Sequence, residues 1–165
     1  KMILDAGGSV SLMCTFNVLS VTTFRSLLDK IIEWRKRYGN RILFDTPYLK
    51  EPPHFMINIL PDTFYKYMDE TLQFMYRHPE YINEIEIEKW KRVTDYMKTP
   101  LNSSSHPHLT DELIERGRRD FWIFFNEHDK RRETCFDNVF PEYVEFKQLC
   151  KQVYENFKQP YERLV

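Results

Sequence analysis

Ser11, Thr15 and Asn17 are the polar residues of a mixed strand face, which is what a barrel with a site in its lumen needs. Ser11, Met13, Thr15, Asn17 and Leu19 alternate with Val10, Leu12, Cys14, Phe16 and Val18, and a period of two marks a strand. The second set is apolar and suits packing against helices. The first is mixed, and Asn17 falls near the carboxyl end of the strand, where parallel α/β folds gather their chemistry. Asp45 ends a second strand, Arg41 to Asp45. The same polar side chains could instead satisfy neighbouring backbone groups.

Other chemistry-bearing residues form weaker constellations. His106-Pro-His108 places two imidazoles in a Ser-rich loop with no third ligand beside them, short of the three or four that a metal needs. His54 starts a candidate strand beside prolines, and His128 lies on an aromatic helix face. Glu127, Asp129, Arg131 and Arg132 crowd one helix end, where the arginines are expected to pair with the two acids and dress the helix carboxyl terminus. Cys14, Cys135 and Cys150 are widely spaced, form no CxxC pair and suit a reducing compartment. Cys14 reads as core, and Cys150 falls on an apolar helix stripe. No glycine-rich phosphate loop, GxSxG or HExxH stretch is present.

The elements that position these residues follow from periodicity. Between the two strands, Phe24, Leu27, Leu28, Ile31, Ile32 and Arg35 recur at helical spacing, with Ser20 or Thr22 as cap and Gly39-Asn40 as stop. Strand, helix and strand make a βαβ unit with two parallel strands. His54 to Leu60 reads as a third strand ended by Pro61. Helices follow: one capped by Asp62, with Phe64, Tyr67, Met68, Thr71, Leu72 and Met75 buried; one from Tyr81 to Lys98, with Ile82, Ile85, Trp90, Val93 and Met97 inside and Glu84, Glu86, Glu88, Lys89, Lys91 and Arg92 solvated. A third is capped by Thr110, and a last one opens at Phe140-Pro-Glu142 and frays over Gln159 to Val165. Thr99 to His108 is a polar linker. The expected division is residues 1–78 as βα units and 79–165 as a helical extension.

The 165 residues suffice for a real core, and 42% hydrophobic content with 16% aromatics is that of a folded protein. A net charge of -1 offers no basic field for nucleic acid. No run approaches the roughly 20 apolar residues of a membrane span, and Lys1-Met-Ile-Leu-Asp5 lacks the apolar core of a secretory leader, so the default location is the cytoplasm. Beginning on Lys, with only two clear parallel strands, the chain reads as a piece of something larger.

Three stretches, in order, resemble the C-terminal part of twitch-type radical SAM proteins. Cys14-Thr-Phe-Asn-Val-Leu-Ser-Val-Thr22 resembles a late barrel strand and its turn. Pro52-Pro-His-Phe-Met-Ile-Asn-Ile-Leu-Pro61 resembles the strand before the helical tail. Phe124-Phe-Asn-Glu-His-Asp-Lys-Arg-Arg-Glu-Thr134 with Val139-Phe-Pro-Glu142 resembles the terminal helices. The resemblance implies an α/β fold, the late strands of a partial (β/α) barrel followed by a helical extension. It implies S-adenosylmethionine and a [4Fe-4S] cluster in the intact protein, with hydrogen abstraction from a peptide-like or small-molecule substrate. Thr15, Asn17 and Asp45 would then face cofactor or substrate. The cluster-binding CxxxCxxC motif is absent from this chain, whose cysteines would bind no cluster, so the missing N-terminal barrel half would be its partner. The rival expectation is a non-catalytic α/β domain that binds a protein partner through its aromatic helical tail.

Overall fold

The computed structural model describes residues 2–162, with side chains to residue 157. The order is α1 (Met2–Asp5), β1 (Val10–Met13), α2 (Phe24–Tyr38), β2 (Ile42–Asp45), α3 (Tyr65–Tyr76), α4 (Glu84–Met97), α5 (Asp111–Arg132), α6 (Phe136–Val139) and α7 (Val144–Glu162). The chain divides into two compact units. One takes the chain up to Leu49 together with Asp62–Lys98; the other takes Lys50–Pro61 and everything from Thr99.

The expected partial (β/α) barrel is overturned. The chain is 66% helical, and among the described residues its sheet has two strands. The βαβ unit itself is present: β1 and β2 pair in parallel, Val10 opposite Ile42 and Met13 opposite Asp45. What fails is the third strand. Pro53–Phe55 and Ile57–Ile59 form two 3-10 turns instead. Prolines at 52, 53 and 61 bracket the stretch, and lacking N–H groups they could not carry a ladder past either end. Its apparent alternation is not a two-faced pattern either, because Met56, Ile57, Asn58, Ile59 and Leu60 are all buried. α5 takes over the backbone instead: Arg118 Nε donates to the Ile59 carbonyl at 2.8 Å. Gly117 lets α5 approach so closely that a Cβ there would stand 2.7 Å from Ile59 Cγ2 and 3.0 Å from the Pro53 carbonyl.

In the first unit, Phe24 stacks on Trp90 at 4.6 Å, and Phe16 meets both rings edge-on. The indole of Trp90 donates to the Met68 carbonyl. α2 buries Phe24, Leu28, Ile31, Ile32 and Arg35 and stops at Gly39, whose φ of 60° a side chain would strain. Its N-cap is Thr23, with no side-chain cap bond, rather than Ser20 or Thr22. α4 starts at an Asn83–Glu86 capping box, not at Tyr81. That phase leaves Ile85 68% exposed and buries Glu86, so both expectations for these neighbours are reversed.

In the second unit, Thr110 caps α5 through the Leu113 amide at 3.1 Å, as its sequence predicts. Phe121 is the hub, with Phe125, Phe136 and Phe146 rings 4.6 to 5.6 Å away. α5 ends at Glu133, which adopts φ 53° and donates to the Asp129 carbonyl. The expected fraying from Gln159 is not seen as far as Glu162, to which α7 stays helical, and its remainder, residues 163–165, lies outside the described residues. Among the described residues no helix is long and apolar enough to cross a membrane.

Candidate functional site at the strand ends

The parallel register carries Thr15, Asn17 and Asp45 to one end of the β1–β2 pair. The Cys14 amide donates to the Asp45 carbonyl at 2.8 Å, and Met13 stands opposite Asp45. Beyond the strands, Phe16 bridges to Tyr48, with the Leu49 amide on the Phe16 carbonyl at 2.9 Å. Thr15 is exposed on the Met13 face.

Asn17 does backbone work at this end. Its Oδ1 accepts from the Leu19 amide at 3.0 Å, its Nδ2 donates to the Thr15 carbonyl at 3.1 Å, and Ser20 Oγ accepts from its own amide. This closes a capping box on the Val18–Ser20 turn.

Asp45 meets Lys89 of α4 at 3.0 Å. That hydrogen bond is the main reason its carboxyl lies below the usual range; burial opposes it, and the Thr46 amide and the charges of Lys89 and Arg92 add to it. The neighbouring Cys14 thiol is pushed up by burial and by the Asp45 charge. Cys14 is half-buried rather than core. The end of the sheet therefore offers an exposed hydroxyl, an ionised carboxylate, an ammonium and a protonated thiol. This set can hold a polar ligand. Neither the carboxylate nor the thiol is tuned toward neutrality as a general acid or base would be. Lys89 was hidden in the sequence within a charge run, and its spacing alone does not distinguish it from its solvated neighbours.

The other sequence candidates belong to the second unit. His106 and His108 rings stand 5.8 Å apart, with His106 Nδ1 on Ser105 Oγ. Among the described residues no group of three or more His, Cys, Asp or Glu is placed to hold a metal ion. His54 stacks on Phe124 at 5.2 Å, and burial lowers its pKa against the pull of Asp120. Arg131 lies 3.8 Å from Glu127, whereas Asp129 turns away from the arginines. Asp129 accepts from the Phe136 amide at 2.9 Å and the Thr134 hydroxyl at 2.9 Å, with Lys147 3.7 Å away. Lys147 reaches Asp137 at 2.8 Å. This knot joins α5, α6 and α7 and is structural.

Of the three cysteines, Cys14 is half-buried in the first unit, while Cys135 is exposed and Cys150 buried in the second, where burial pushes the Cys150 thiol up to about 12. Comparison of the chain with protein-family models, with curated proteins and with solved structures finds no match.

Proposed function

We propose that this chain is the C-terminal part of a radical SAM enzyme, its β1–α2–β2 unit contributing to the side that receives S-adenosylmethionine and a peptide-like or small-molecule substrate. The observation that carries the reading is the parallel strand pair with Thr15, Asn17 and Asp45 gathered at its carboxyl end. Ligands of open α/β sheets bind outside the carboxyl ends of their strands. The motif order described above supports the same reading. Since residues 1–165 contain no CxxxCxxC motif, this reading requires one elsewhere in the intact protein.

The test is to sequence the coding DNA upstream of Lys1 and then assay the intact polypeptide for iron and for reductive cleavage of S-adenosylmethionine. An in-frame CxxxCxxC motif with cleavage supports the reading. Absence of the motif from that frame and its neighbours sinks it.

One observation favours a second reading, a non-catalytic domain with a protein partner. On the second unit Ile123 and Phe124 are each 41% exposed on α5. That reading expects this chain alone to be soluble, monomeric and cooperative in melting.

A further inference from the structure

We infer that the trough bounded by α1, β1 and α2 is a self-association surface, on which a second copy of this chain docks about a two-fold axis. The inference goes beyond both readings above and departs from the second, which expects a monomer.

The trough lies wholly within the first unit and encloses about 450 Å³. Leu4 of α1, Val10 and Leu12 of β1, Ile42 of β2, and Trp34 and Tyr38 of α2 line it. Its walls are held together from within the chain. Arg41 Nη1 donates to the Leu4 carbonyl at 2.6 Å, and the Tyr38 hydroxyl donates to Asp5 at 3.0 Å. An occupant therefore finds α1 and α2 already in place, and a preorganised surface costs less to bind.

The same patch carries exposed apolar groups. Trp34 is 37% exposed on the trough wall, and α1 leaves Met2 86% and Ile3 61% exposed. A closed two-fold interface uses one patch on both copies, so the patch must complement itself. Here the hollow and the apolar groups that could fill it stand side by side. Trp and Arg are the residue types that carry most binding energy at such surfaces, and this patch has Trp34 and Arg37.

Charge selects the occupant. Glu33 and Arg37, one helical turn apart on α2, flank Trp34 on the trough. Two α2 helices laid antiparallel across the axis set Glu33 of each copy against Arg37 of the other, so both charges find an opposite one. A partner of a single sign would be repelled by one of the two. Within the chain Glu33 meets Lys30 at 2.8 Å and Arg37 meets Asp5 at 3.7 Å. Both are exposed pairs, weak enough to be exchanged or shared.

Sedimentation velocity of this chain over a range of concentrations tests the inference, and a concentration-dependent dimer is expected. Trp34→Ala should raise its dissociation constant about 30-fold, the factor that corresponds to about 2 kcal/mol at a hot-spot residue. Glu33→Arg and Arg37→Glu should each raise it about tenfold, since each sets like charges face to face on both sides of the axis. An equimolar mixture of these two variants should regain the original affinity, because every such contact between them is again of opposite sign. Both change exposed side chains, so they probe the surface even if Trp34→Ala fails to fold. A chain that stays monomeric at millimolar concentration overturns the inference. So does a dimer that both charge variants retain, or one that their mixture fails to restore.

Discussion

Arg35 and Glu86 meet in a two-point ion pair, Nη2 to Oε1 at 2.6 Å and Nη1 to Oε2 at 2.9 Å, with side chains only 6% and 5% exposed. The same guanidinium donates to the Ile42 and Tyr81 carbonyls, so one side chain ties α2, β2 and the entry to α4. Removing one partner strands a buried charge. Glu86→Ala should cost about 3–5 kcal/mol in urea unfolding. A loss within the range of an exposed pair, about 0–1 kcal/mol, would show that the pair is not buried in solution.

Gly117 offers a prediction with opposed terms. Alanine is favoured over glycine in a helix interior by about 1 kcal/mol. Here the added Cβ would meet Ile59 Cγ2 at 2.7 Å and the Pro53 carbonyl at 3.0 Å. The backbone oxygen cannot swing aside as a side chain can. Gly117→Ala should therefore destabilise by about 1–3 kcal/mol, the usual cost of overpacking. A raised Tm would mean that α5 stands off from residues 53–60.

Acid should loosen the knot at the end of α5. Burial raises the Asp129 pKa, but the Phe136 amide, the Thr134 hydroxyl and the charges of Lys147 and His128 outweigh it, and the net shift is downward. A depressed folded pKa gives stability that is present above the unfolded value of about 3.9 and is lost as pH falls through the folded value. Urea midpoints taken from about pH 5 to about pH 2 should fall, and Asp129→Asn should flatten that fall. Parallel slopes for the two proteins would remove Asp129 from the acid response.

The three thiols should separate by reactivity. Cys135 is exposed, whereas Cys150 is buried and its thiol is pushed up to about 12. Since the thiolate is the nucleophile, iodoacetamide at about pH 8 should label Cys135 first and Cys150 only on unfolding. Equal labelling of both in the folded chain, read by mass spectrometry, would contradict the packing of α7.

Strong local signals survived folding. The alternation of Val10 to Met13, the apolar stripe of α2, the Gly39 stop and the Thr110 cap each state one conformation through one mechanism. Residues 54–60 misled because β-forming types alternated there by chance, while the brackets of proline and the glycine in α5, 56 residues after Pro61, decided the outcome. Glu86 misled because its partner is 51 residues away, and no local pattern announces a buried acid. At the strand end, Thr15, Asn17 and Asp45 were legible as polar positions on a register. Lys89 was not, since only the packing of α4 against β2 brings it to Asp45.

The order of synthesis gives the segment 50–61 a further meaning. It belongs with helices that begin beyond Thr99, so a ribosome delivers Met56 to Leu60 well before their cover exists. At roughly 5–20 residues per second, this apolar run waits seconds for α5. In the meantime it is a natural landing place for a chaperone. A nascent chain stalled near residue 100 would be sticky, while one released after α7 would not. Cutting the chain after Lys98 would leave that vulnerability permanent.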